Sequence, residues 1–177
     1  MRAVVIGGGA PVWDELEQAE SLCDFDLLIA INDAGAKYPG IVDYWVTLHP
    51  EKLGIWAKQR QENGFAPARH HVAHEDNTHA ARRNAFPLSF MVPYTWPGSS
   101  GLFAVEVAIK KLGCEKIVLC GVPMTATPHF FDNVNWDAVA GFWDAWPIAY
   151  PHIKDKVRSM SGRTKELLGA PSRAWLE

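Results

Sequence analysis

The sequence predicts an α/β fold: a three-layer αβα arrangement around a mostly parallel central sheet, with residues 1–177 forming one domain. Three observations predict it. Short aliphatic runs, such as Ala3-Val4-Val5-Ile6 and Ile117-Val118-Leu119-Cys120, have the length and composition of strands buried on both faces. Stretches with apolar residues at helical spacing lie between such runs. Two glycine-rich corners, Gly7-Gly8-Gly9 and Gly98-Ser99-Ser100-Gly101, stand where a strand gives way to a helix. Strands alternating with helices imply right-handed crossovers and a sheet covered on both sides.

The elements follow in order. Residues 3–6 form the first strand, bounded by glycine. Trp13, Leu16, Ala19 and Leu22 then recur at helical spacing, with Glu15, Glu17 and Glu20 on other faces. Residues 25–31 make a second buried strand, ended by Asn32-Asp33-Ala34-Gly35. Residues 42–48 alternate enough for a third strand, and residues 51–63 read as a polar surface helix closed by Gly64. The stretch 65–86 shows no clear period and several histidines, which suits an irregular loop with room for one short strand. Residues 88–92 are a strand, and 102–112 a helix with Leu102, Val105, Ile109 and Leu112 on its buried face. Glu106 and Lys110 form an i,i+4 pair on its side, and Gly113 is placed to stop it. The next buried strand is 116–120, ending at Gly121. Residues 136–146 read as a helix in which Trp136, Val139, Ala140, Trp143 and Ala145 or Trp146 share one broad face. A last strand-turn-helix fits 157–168.

Composition narrows the function. Hydrophobic residues make up 48% and charged residues 21%, the balance of a soluble globular chain. A net charge of −3 argues against a large basic face for nucleic acid. No apolar run approaches the roughly 20 residues of a membrane helix, and Met1-Arg2-Ala3 enters a strand at once, without room for a signal peptide. Cys23, Cys114 and Cys120 are odd in number and lack CxxC spacing, so buried thiols in a reducing cytoplasm are expected.

Ligands of parallel sheets sit at the carboxyl ends of the strands. That rule selects Gly7-Gly8-Gly9, Asn32-Asp33, Leu48-His49-Pro50, the Gly98 to Gly101 corner and the residues from Gly121 to Met124. Standard motifs mostly fail. The triglycine supplies two of the three glycines of GxGxxG, with Val12 at the third, and Asp33 stands near where a ribose-binding acid sits, so a dinucleotide site stays open. There is no GxxxxGK[ST], and a GxSxG elbow at Ser100 fails because residue 102 is leucine. His70, His71, His74 and His79 suit neither HExxH nor zinc-finger spacing, so no metal site is assigned. The second corner is the better anion site. Asp14 and Glu15 crowd the first helix start, whereas no acid precedes Glu106 in the second. Ser99 or Ser100 also suits a helix cap, which leaves other N–H groups free.

Val4-Val5-Ile6-Gly7-Gly8-Gly9-Ala10-Pro11, then Asp24-Phe25-Asp26 leading to Asn32, then Ser99-Ser100-Gly101 leading through Leu112-Gly113 to Gly121, resembles the bacterial sialyltransferases. It also resembles the related hydroxymethylpterin pyrophosphokinase-like proteins and short phage and prophage proteins. The resemblance spans most of residues 1–122. It implies a Rossmann-like fold, a nucleotide or nucleotide-sugar ligand, and a glycosyl or phosphoryl transferase. Gly8 and Gly9 would face the nucleotide phosphate, Asn32 would contact the nucleotide, and Ser99, Ser100 and Gly101 would hold ribose, base or phosphate. His49 stands where the sialyltransferases have an asparagine. Their catalytic histidine precedes the final helix, where this chain reads Val157-Arg158-Ser159-Met160-Ser161-Gly162-Arg163. His129 and His152 are the replacement candidates for a base, and Arg158 or Arg163 for neutralising a departing phosphate.

Two function classes follow: a nucleotide-sugar or phosphoryl transferase without a protein-bound cofactor, and a non-catalytic nucleotide-binding module. A histidine in the crevice separates them. The aromatic residues from His129 to Tyr150 exceed what one helix buries beneath itself, so they predict a lid or a homo-oligomer surface.

Overall fold

The structure, a computed structural model, describes residues 1–75, 86–132 and 134–177. Among these residues seven strands form a sheet: β1 (Arg2–Ile6), β2 (Leu27–Ile31), β3 (Tyr44–Thr47), β4 (His70–His74), β5 (Phe90–Val92), β6 (Lys116–Cys120) and β7 (Val157–Ser159). Their spatial order is β5-β4-β3-β2-β1-β6-β7, and every neighbouring pair is parallel. The chain is thus Rossmann-like, as the alternation of strand and helix predicts.

Period-2 alternation divides the core. Ala3 and Val5 of β1 join one apolar cluster with Ile29, Val46, Ile117 and Leu119, while Val4 and Ile6 join the other with Leu28, Trp45 and Val118. The first face is covered by α4 (Ser100–Glu106), α6 (Ala145–Ile153) and α7 (Gly162–Leu168). The second is covered by α1 (Val12–Glu20), α2 (Ala34–Lys37), α3 (Leu53–Glu62) and the terminal α8 (Arg173–Leu176). The short α5 (Ala140–Trp143) precedes α6.

The one short strand allowed for within residues 65–86 is His70–His74, the strand β4, and residues 76–85 lie outside the described residues. The polar composition of β4 hides its position, yet the flat imidazole of His70 stacks on Tyr44 of β3, with ring centroids 4.8 Å apart. His79 lies outside the described residues. Among the described residues no group of three or more His, Cys, Asp or Glu side chains is placed to hold a metal. Two other expectations need revision. The helix expected at 102–112 begins at Ser100 and widens into π-helical turns over Val107–Lys111, where Leu112 N–H reaches Val107 O at 3.1 Å. The wider turn accompanies a contact of Lys110 Nζ with the Trp96 ring, 4.5 Å from its centroid. Finally, 136–146 is not one helix: a 3₁₀ turn at Asp137–Val139 leads into α5, and α6 starts anew at Ala145. Trp146 is fully buried, whereas Ala140 is exposed, so the expected common face is not formed. Among the described residues no helix is long and apolar enough to cross a membrane.

Candidate functional site at the strand switch point

From β1 the chain winds outward to β5, then returns to place β6 on the other side of β1. The carboxyl ends of β1 and β6 therefore flank the switch point, where sheets of this type open a crevice. A crevice of about 390 Å³ lies there, large enough for a small polar ligand. Its walls include residues from all the strand ends that the sequence selects.

The triglycine builds the floor and has little left to offer an anion. Gly7 N–H donates to Cys120 O at 2.8 Å, Gly9 N–H to Gly121 O at 2.9 Å, and Ala10 N–H to Pro128 O at 2.9 Å. A Cβ on Gly7 or Gly9 would strike the turn at Gly121 or Pro123, so these glycines permit close packing. Glu15 does not crowd the corner as expected. Its buried carboxylate turns to accept Gly121 N–H at 2.7 Å, which satisfies both the acid and the end of β6.

The second corner keeps its donors. Ser99 Oγ caps α4 by accepting Leu102 N–H at 3.3 Å, while the N–H groups of Ser100 and Gly101 have no partner among the described residues. Gly101 is a packing glycine as well, since a Cβ there would meet Val122. The loop before the corner is fastened from below. Tyr94 Oη donates to Gly98 O at 2.6 Å, and Thr95 N–H donates to the fully buried Glu106 carboxylate at 3.0 Å. Lys110 Nζ completes that anchor, 2.6 Å from Glu106 Oε1.

A chain of hydrogen bonds ties the ends of β3 and β2 to this corner. His49 N–H donates to Thr47 Oγ1 at 2.8 Å, Thr47 Oγ1 donates to Asn32 Oδ1 at 2.8 Å, and Asn32 Nδ2 donates to Ser100 Oγ at 3.3 Å. Asn32 holds a left-handed backbone at φ 50°, and Trp45 Nε1 donates to its carbonyl. Met124, across the crevice, is also left-handed at φ 51°. Two non-glycine residues in this sparse region, both lining one crevice, mark a locally strained site.

The opposite wall comes from residues 127–132 and 134–136, which fold back on themselves. Pro128 bridges to Asn135 in antiparallel fashion, Trp136 N–H donates to Thr127 O at 3.1 Å, and Phe130 N–H donates to Gly8 O at 3.0 Å. This brings the His129 ring over Gly8, whose missing Cβ would lie 3.4 Å from His129 Nε2 and 3.8 Å from Asp33 Oδ1. Burial pushes the Asp33 carboxyl above its ordinary range, and the neighbouring His129 opposes that rise.

Of the residues expected from sequence, Gly8, Gly9, Asn32, His49, Ser99, Ser100, Gly101 and His129 meet in the crevice. His152 does not: it stacks against Trp96 with centroids 5.8 Å apart, away from the lining. Arg158 does not either. Its guanidinium donates to Lys154 O and Val157 O and lies 4.8 Å from the Trp175 ring centre, because β7 is the edge strand beyond β6. Arg163 is held over Trp143 at 4.0 Å. The sequence reading missed Lys52, which lines the crevice just after β3 and is visible only once the 3₁₀ turn Pro50–Lys52 is known. It also missed Thr47, a fully buried hydroxyl that joins His49 to Asn32. Phe131, Trp136 and Phe142, offered for a lid or self-association, line the crevice.

Fold and site together define a doubly wound, Rossmann-like α/β architecture with its crevice at the switch point. Within that class the chain is similar in fold to the sialyltransferase CstII from Campylobacter jejuni, solved in complex with the substrate analogue CMP-3FNeuAc. The TM-score is 0.61 at 15% identity, covering 98% of this chain and 86% of that one. No protein-family model and no curated protein sequence matches this chain.

Proposed function

We propose that this chain binds a nucleotide sugar in the crevice and transfers the glycosyl group to an acceptor hydroxyl. The observation that carries the reading is the Ser99-Ser100-Gly101 corner. It presents unpartnered N–H groups into a crevice and is locked to the end of β2 by Asn32. The fold supports it, since the similar structure holds a CMP-sugar analogue.

In this reading the nucleotide phosphate accepts hydrogen bonds from Ser100 and Gly101 N–H. Hydrogen bonds to a charged oxygen contribute roughly 1.5–3 kcal/mol each. Lys52, the fixed cation among the described lining residues, takes the neutralising role expected of Arg158. His129 is the base. It removes the proton of the acceptor hydroxyl as the new C–O bond forms at the anomeric carbon, and the bonding pair of the breaking C–O bond leaves with the phosphate. Asp33 lies beside it across Gly8. A histidine inside the crevice favours the transferase over the non-catalytic module.

The test is incubation with CMP-, UDP- and GDP-sugars, following nucleotide release and binding separately. One donor is expected to bind and to turn over, and His129→Asn is expected to lower turnover by about 10²–10⁴-fold with binding retained. Failure of every nucleotide to bind contradicts the proposal. Binding without turnover, in the wild type with acceptors present, leaves the module reading in its place.

A further inference from the structure

The two ends of the crevice differ in chemistry. Lys52 and His49 stand at the β3 end. At the other end Phe131, Trp136 and Phe142 form a wall with His129. The His129 ring lies 5.0 Å from Phe131 at 26° and 6.2 Å from Trp136, and Trp136 stacks on Phe142 at 5.6 Å and 20°. Phe131 is 52% exposed and Phe142 39%, and neither belongs to the two core clusters. The two phenylalanine rings stand outside both cores and open onto the crevice, an exposure of apolar surface that calls for a ligand. The wall is formed in advance: its backbone is pinned to Gly8 and Ala10 by the bonds of Phe130 N–H and Pro128 O.

We infer that this wall is the acceptor subsite, and that it takes the apolar face of an uncharged pyranose ring; the inference rests on the proposed function. A pyranose shows an apolar face of slightly positive C–H groups and a rim of hydroxyls. The faces of aromatic rings carry the complementary negative charge. Around the wall stand the side chains a hydroxyl rim needs, Thr125, Thr127 and His129. An acidic acceptor finds no fixed cation there among the described lining residues, and it meets Asp33 behind His129. A nucleobase also stacks on aromatic rings. The wall, however, contains His129, the base of the proposed reaction, which must reach an acceptor hydroxyl, whereas the crevice's other imidazole, His49, stands with Lys52 at the far end.

The experiment titrates the whole protein with methyl β-galactopyranoside, methyl β-glucopyranoside, the methyl glycoside of glucuronic acid, and CMP, UDP and GDP. Saturation-transfer NMR and tryptophan fluorescence are the readouts. The variants are Phe131→Ala and Phe142→Ala, whose exposure keeps the core intact. A neutral pyranoside is expected to saturate, with transfer concentrated on one face of its ring. Each variant is expected to weaken it about fivefold, the effect of roughly 1 kcal/mol, while CMP affinity stays unchanged and the glucuronide binds worse than its neutral counterpart. Absence of saturation by either neutral ring, with CMP still binding, overturns the subsite and leaves the proposed function standing. A loss of CMP affinity in the ring variants assigns the wall to the base and overturns it too. If no pyranoside binds and none of CMP, UDP and GDP binds either, both readings fall.

Discussion

Replacing Asn32 tests how the strand ends are tied to the anion corner. Its amide accepts from the fully buried Thr47 hydroxyl and donates to Ser100 Oγ, and its backbone sits at φ 50°. Asn32→Ala removes two hydrogen bonds worth about 1 kcal/mol each and leaves Thr47 Oγ1 without an acceptor. It also places in the left-handed region a side chain that cannot bond its own backbone, about 1 kcal/mol more. The sum is roughly 3 kcal/mol of lost stability. Asn32→Gly loses the same bonds but is at ease at that φ, so it is expected to be about 1 kcal/mol more stable than the alanine variant. Both free the Ser100 hydroxyl, and nucleotide affinity is expected to drop about tenfold in each, equivalent to ~1.4 kcal/mol. Asn32→Asp keeps the shape but adds a carboxylate where an anion should bind, so its affinity loss is larger and shrinks on acidification. Urea denaturation and CMP calorimetry on the three variants check this. Equal stability of the alanine and glycine variants would refute the backbone part, and undiminished CMP affinity in the glycine variant would refute the tethering role.

Further outcomes follow from the same structure. Glu106→Ala strips the acceptor from Thr95 N–H and the partner from Lys110, and is expected to cost roughly 2–4 kcal/mol by urea denaturation. Arg60 is buried and donates to the carbonyls of Gly35, Tyr38, Gly40 and Ala66, so Arg60→Lys, which cannot reach all four, should cost about 3 kcal/mol despite its conserved charge. The Asp33 carboxyl titrates above its ordinary value in the folded protein, chiefly through burial, so the folded state holds its proton more tightly than the unfolded one. That penalty on the charged form is absent at low pH and grows as pH rises through the raised value. Asp33→Asn is therefore expected to raise the melting temperature at pH 7, with the gain vanishing below the ordinary carboxyl range. An unchanged difference across that pH window would contradict the assignment.

Much of the architecture is legible in the residues because hydrophobic periodicity records it directly. β1, β2 and β6 are continuous aliphatic runs, and such runs have few alternatives in a chain of this size. For β4 only a short strand somewhere in residues 65–86 is legible, not its position, because its histidines act as flat sheet residues stacked on Tyr44 and beside Phe86 of the opposite face, which no polarity pattern reveals. The carboxyl-end rule finds the crevice before the strand order is known, since it needs only the places where strands end. It cannot separate His129 from His152, both of which lie on segments without a strand to place them. Only the backbone bonds of Phe130 to Gly8 and of Ala10 to Pro128 bring the first into the crevice. The preference for the second corner over the triglycine has a different cause from the one the acids suggest. Glu15 is spent on Gly121, and the first corner loses ground because the Gly7 and Gly9 N–H groups are taken by Cys120 O and Gly121 O, whereas Ser100 and Gly101 both keep theirs.

The most direct measurement is an amide-resolved titration of the ¹⁵N-labelled protein with CMP, reading the shift of each N–H. Saturable shifts are expected to concentrate on Ser100 and Gly101, with the Asn32 side-chain amide moving in step and the N–H groups of Gly7 and Gly9 little changed. Shifts centred on the triglycine, or no saturable shift at Ser100 and Gly101, would contradict a nucleotide site at this corner.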